Sequence, residues 1–190
     1  MSESTDILLV EDDPSDVHLA LAVFRTLQMQ QGCVVVNDGE EAMEFLESRG
    51  RFSQRAPGLP RLVLLDLKMP RVNGFDLLQQ IKTDAELKCV PVVVLTSSRE
   101  ARDVERAYDL GVNGYVVKGI DFADYRATLR TLADYWGRVN EHPPGGVGSS
   151  RSVPVKVSSK EDAGRLAAYH ARSWGVTAFI NRFALAPRGG

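Results

Sequence analysis

Leu62-Val63-Leu64-Leu65-Asp66-Leu67-Lys68-Met69-Pro70 sets an unbroken apolar run against a single carboxylate, with a proline closing the stretch. A short, continuous Val/Leu run reads as a strand buried on both faces, the usual state in a parallel sheet. Three more runs close in the same way. Ile7 to Val10 ends in Glu11, Asp12 and Asp13, Val92 to Leu95 ends in Thr96, and Tyr115 to Val117 ends in Lys118. Four buried strands ending in acids, a hydroxyl and an amine gather those groups at one edge of a parallel sheet, where open α/β sheets bind ligands. The pattern describes a divalent-metal site in which one carboxylate, Asp66, is placed to accept a phosphoryl group.

Outward from that stretch, the chain alternates strand and helix five times. The strands are expected at Ile7–Glu11, Cys33–Val36, Leu62–Asp66, Val90–Thr96 and Gly114–Lys118. Between them lie amphipathic stretches: Val17, Ala20, Leu21, Phe24 and Leu27 follow helical spacing, as do Leu77, Leu78 and Ile81. Phe122, Tyr125, Leu129, Leu132 and Trp136 mark a long final helix. Pro14, with Asp16 in the opening turn, starts the first helix, and Gly74 marks a loop before the third. Strands alternating with helices imply βαβ crossovers and a three-layer α/β sandwich.

The 190-residue length suits one domain with something added, and 44% apolar with 25% charged residues is ordinary for a soluble globular chain. A net charge of −2 provides no basic footprint for nucleic acid. Cys33 and Cys89 lie in no metal-like or redox-like spacing and read as small apolar residues in or beside strands. The polar Met1–Asp6 stretch resembles no signal peptide, and no apolar run approaches the ~18 residues of a membrane span. A cytoplasmic location, without membrane contact, is the resulting expectation. His18, His142 and His170 are isolated and read as surface or linker residues.

LLVEDDP, VLLDLKMP, NGFDLL, VVVLTSS and GYVVK occur in that order, with Thr96 30 residues after Asp66 and Lys118 22 after Thr96. In this, Met1 to about Val139 resembles the receiver domain of two-component response regulators. EDDP-x-D, the SSRE stretch at 97–100 and the closing LADYW resemble the single-domain regulators paired with phytochrome-type histidine kinases. The resemblance implies a flavodoxin-like, doubly wound five-stranded parallel sheet of order 2-1-3-4-5. It implies Mg2+ held directly by Asp12, Asp66 and the Lys68 backbone carbonyl, with Glu11 acting through water. Asp66 would take the phosphoryl group of a kinase phosphohistidine. Lys118 is the matching cation, Thr96 the matching donor, and Tyr115 the aromatic that turns inward as Thr96 moves. Such regulators are often homodimers through the fourth helix, fifth strand and fifth helix, and the apolar stripe of the last helix gives that expectation a basis here. One departure stands out: the family usually has Lys-Pro with a cis bond, and this chain has Lys118-Gly119. A non-proline cis bond costs ~2.5–4 kcal/mol, so a trans bond with a different loop and another glycine-permitted geometry are both open.

Residues 140–152, NEHPPGGVGSSRS, read as a flexible linker, and 153–190 as a basic C-terminal tail. From Asn140 onward seven Lys/Arg face three Asp/Glu, which leaves 16 basic and 22 acidic residues before it. An acidic domain with a basic tail suits either docking of the tail or a solvated extension. Val153-Pro154-Val155 and Ser158-Ser159-Lys160-Glu161 faintly echo Val90-Pro91-Val92 and Ser97-Ser98-Arg99-Glu100. No helix-turn-helix pattern follows the receiver stretch, so direct DNA control is not expected. An aspartate-nucleophile phosphatase would want a second Asp at the position of Lys68, which argues against a hydrolase. A degenerate receiver serving as a phosphorylation-independent binding scaffold is the remaining alternative, motivated by Lys118-Gly119 and the tail.

Overall fold

The computed structural model describes residues 7–29, 32–55, 58–69, 73–119 and 121–141. Met1–Asp6, Pro70, the linker beyond Glu141 and the whole basic tail, with His142, His170 and the repeat echo, lie outside them. The strands are β1 (Ile7–Val10), β2 (Cys33–Val36), β3 (Leu62–Leu65), β4 (Val92–Thr96) and β5 (Gly114–Val117). They form one parallel sheet in the order β2-β1-β3-β4-β5. The helices are α1 (Pro14–Thr26), α2 (Gly39–Leu46), α3 (Gly74–Thr83), α4 (Ala101–Asp109) and α5 (Phe122–Asp134). The doubly wound fold expected from the sequence is present. Three strands end one residue earlier than the sequence suggested, at Val10, Leu65 and Val117. The fourth begins at Val92 and not Val90.

Period-two alternation sorts the strand residues onto two cores. Leu8, Val10, Val63, Leu65, Val92 and Val94 pack against α2, α3 and α4 through Phe45, Leu77, Leu78, Ile81 and Ala107. Ile7, Leu9, Leu62, Leu64, Val93 and Leu95 pack against α1 and α5 through Val23, Phe24, Tyr125 and Leu129. Both faces of the sheet are dry, which is why its strands read as continuous apolar runs and not alternating ones. Among the described residues, no helix is long and apolar enough to cross a membrane.

The expected long final helix ends differently. After Asp134 the chain widens into a π-helical turn, Tyr135–Val139. Gly137 there lies against the Met29 methyl, Arg61 donates to the Gly137 carbonyl at 3.0 Å, and Arg138 to the Leu27 carbonyl at 2.9 Å. Its stripe is mostly core: Tyr125 and Leu129 are buried, Leu132 and Trp136 partly so, and only Phe122 is exposed. The cysteines divide as well. Cys33 opens β2, half-buried, with its thiol pushed up to about 12 by burial, whereas Cys89 is exposed in a 3-10 turn, contrary to the expectation of an apolar role.

Candidate functional site

The ladder that forms the sheet carries one step past its ends. The Glu11 amide donates to the Val36 carbonyl at 3.0 Å, the Asp66 amide to Val10 at 3.0 Å, and the Lys118 amide to Thr96 at 2.8 Å. These bonds hold the first polar residue after each strand at the same edge. The last turn of strand geometry therefore aims Glu11 and Asp66 toward one another across adjacent strands. Both are withdrawn from water, at 1% and 7% exposed.

Lys118 Nζ lies among them, donating to Glu11 Oε2 at 2.6 Å, Asp16 Oδ2 at 2.6 Å and Asp66 Oδ2 at 3.0 Å. The other Asp66 oxygen accepts from the Lys68 amide at 3.1 Å. Burial would lower the Lys118 ammonium, but its hydrogen bonds to Asp16 and Glu11 outweigh that and hold it above the ordinary lysine range. Glu11 goes the other way for a carboxyl: desolvation pushes it up to about 7 even with Lys118 against it. By geometry alone, one ammonium faces three carboxylates here.

Glu11, Asp12 and Asp66 each present an oxygen within 4.8 Å of the others, with Asp12 the most open to solvent. Three carboxylates at that spacing fit a hard divalent cation such as Mg2+ or Mn2+, which takes oxygen ligands and keeps several waters.

Two neighbouring acids do more than the sequence reading gave them. Asp13, read from the sequence as part of the acidic set, is exposed and caps α1, its carboxylate accepting from the Ser15 and Asp16 amides. Those backbone bonds lower its carboxyl below the usual range. Asp16 stands in the first turn of α1, as expected, and in addition accepts from Lys118 at 2.6 Å. The cue was available in principle: α1 begins directly after the β1 loop, so its first turn stands over the sheet edge.

Thr96 is fully buried, and its Oγ1 accepts from the Ser98 amide at 3.3 Å. Tyr115 is turned inward, 2% exposed, and donates to the Ser98 carbonyl at 3.2 Å. Ser98 Oγ donates to Asp103 in the first turn of α4 at 2.6 Å. Ser98, given no role of its own in the sequence reading, therefore joins Thr96, Tyr115 and α4. The Lys118–Gly119 bond is trans, as no described bond is cis. Gly74 is not in a loop: it is the first residue of α3, behind the Asn73 cap. A Cβ there would press on the Asp66 carbonyl oxygen and come within 2.6 Å of Leu67 Cα, so only glycine lets α3 close against the site.

A parallel sheet of this order, with an acidic trio, a partly buried lysine and a buried hydroxyl at its carboxyl edge, is the architecture of a receiver domain. Residues 7–130 match the family model for the response regulator receiver domain, and the chain belongs to that family. It is 39% identical over 140 residues to the probable methanogenesis regulatory protein FilR2 of Methanothrix harundinacea, covering 72% of this chain and 86% of that one. It is 37% identical over 130 residues to response regulator Rcp1 of Synechocystis, covering 68% and 87%. Among solved structures, the phosphorylated cyanobacterial phytochrome response regulator RcpA superposes with a TM-score of 0.69 at 33% identity, over 74% of this chain and 99% of that one. The Mn2+-bound form of Rcp1 gives 0.68 at 34% identity, covering 73% and 99%. The bacteriophytochrome response regulator RtBRR gives 0.60 at 38% identity and covers 90% of this chain and 95% of its own.

Proposed function

We propose that the chain is a single-domain response regulator that accepts a phosphoryl group on Asp66 from a histidine kinase, with Mg2+, and thereby switches protein–protein contacts. The observation that carries this is the two-sided hold on Asp66. One oxygen takes the Lys68 amide and the other takes Lys118, while the carboxylate also belongs to the acidic trio. Glu11 shares the lysine but is more deeply buried, and Asp12 is not among that lysine's partners, so Asp66 is the acid best placed to meet a donor. The Asp66 oxygen bonds to phosphorus as the P–N bond to the kinase imidazole breaks. Glu11, Asp12, Asp66 and the Lys68 carbonyl would hold Mg2+, which offsets charge on the transferring group.

The switch is read through Thr96, Ser98 and Tyr115 as a two-state repacking of α4, β5 and α5. Phe122 at 64% exposed and Tyr108 at 46% give that face apolar surface, which supports a homodimer formed through it. Light scattering should return a dimer mass, and a monomer mass with and without a phosphoryl mimic would remove the dimer. The likeness to Rcp1, RcpA and RtBRR supports a phytochrome-type kinase as partner, and a cytoplasmic setting follows from such a partner. The receiver is assigned to 1–139, the linker to 140–152 and the tail to 153–190, with no role in nucleic-acid binding.

Phos-tag electrophoresis after acetyl phosphate with Mg2+ tests the assignment. Wild type should shift and Asp66→Asn should not. A persistent shift in Asp66→Asn would move the acceptor elsewhere, for example to Asp13. An unshifted wild type would favour the phosphorylation-independent scaffold.

A further inference from the structure

Lys118 has three protons to donate, and three carboxylates take them: Glu11, Asp16 and Asp66. Two of these acceptors, Glu11 and Asp66, belong to the trio whose oxygens lie within 4.8 Å of one another, and Asp16 does not. A divalent cation in that trio would meet Glu11 and Asp66 but not Asp16, and would leave the Asp16 bond to Lys118 untouched. Asp16 is also anchored through its backbone. It stands in the first turn of a helix fixed by Pro14 and by the Asp13 cap, where an acid also suits the helix N-terminus.

A phosphoryl group on Asp66 brings new acceptor oxygens and negative charge to the same ammonium. Every proton of Lys118 is already engaged, so donation to the phosphoryl group requires release of a partner. Resting on Asp66 as the acceptor, we propose that Asp16 is a positioning residue that competes with the phosphoryl group for Lys118 and shortens the life of the phosphorylated state. Asp16 acts only through Lys118, and its 30% exposed side chain keeps the competition moderate.

Full-length Asp16→Asn keeps the side-chain shape and removes the charge. Its phosphorylated band should decay about fivefold more slowly after acetyl phosphate is removed, the scale of one partly screened ion pair. Beryllium trifluoride with Mg2+, titrated by calorimetry, should bind tighter by a similar factor, while Mg2+ alone binds unchanged. Asp16→Glu, which restores the charge, should return both values toward wild type. A decay unchanged or faster in Asp16→Asn overturns the proposal, as does a slower decay that Asp16→Glu shares. An equal gain in affinity for Mg2+ alone also overturns it, because the effect would then lie on the metal set. If wild type itself neither labels nor binds beryllium trifluoride, the Asp66 reading fails first and this one with it.

Discussion

Leu64 and Asp66 stand two residues apart on one line of chain, both withdrawn from water, and are held there by different physics. Leu64 lies on the sheet face against α1 and α5, among Ile7, Leu9, Val93, Leu95 and Phe24, where any one contact is small and many neighbours share the burial. Asp66 lies at the carboxyl edge, where Glu11 and Thr96 are also buried, and its burial is tolerated because one ammonium and one amide reach it. The face is redundant and the edge is not. Removing methyl groups from the face leaves a smaller version of the same core, whereas removing one charge from the edge leaves the remaining charges unmatched.

That contrast is open to direct attack. The largest effect is expected from Lys118→Met, which strands Glu11 and Asp66 without their cation. Urea unfolding in the absence of Mg2+ should show a loss of about 4 kcal/mol, and added Mg2+ should recover more stability in this variant than it adds to wild type. Leu64→Ala should cost about 3 kcal/mol, yet Mg2+ should stabilise it by the same increment as wild type. An equal response of the two variants to Mg2+ would erase the distinction between face and edge.

Gly74→Ala tests where the two regions meet. The added methyl meets the backbone of Asp66 and Leu67, which cannot rotate aside. A loss of about 2 kcal/mol together with slower labelling of Asp66 is expected, and a stability loss with normal labelling would show that α3 supports the face alone. Asp12→Asn touches only the edge. It should weaken Mg2+ binding about tenfold (~1.4 kcal/mol) by calorimetry and leave the urea midpoint without Mg2+ nearly in place.

The smallest effect is expected from ending the chain at Asn140. The π-helical turn is already closed there, with the Asn140 amide on the Tyr135 carbonyl at 2.8 Å. Folding and Mg2+ affinity should hold, with a phosphotransfer rate within about tenfold of the full chain. Aggregation or a larger change in rate would favour docking of the basic tail.

Much of this was written in residue order. Continuous Val/Leu runs betrayed strands buried on both faces, because a side chain pointing to either face meets a helix. The polar residue ending each run marked the edge, since a parallel sheet brings all its carboxyl ends together. Glu11, Asp12, Asp66, Thr96, Tyr115 and Lys118 could therefore be named as a set from spacing and family resemblance. What stayed hidden depends on direction. Asp13 and Asp16 both lie near Pro14, and although the order places the first turn of α1 over the sheet edge, only side-chain direction tells that one bends back to cap the helix while the other reaches Lys118. Gly74 read as a loop glycine because only the approach of α3 to the Asp66 carbonyl gives its missing side chain a purpose. The π-helical turn and the Ser98 link to Asp103 belong to the same class. Periodicity and residue type determined the layers, the alternation of strand and helix and the chemical make-up of the edge, while the order of strands in the sheet came from the family resemblance. The tertiary structure decided which neighbouring acid faces the lysine, because that choice turns on side-chain direction and packing between segments distant in the chain.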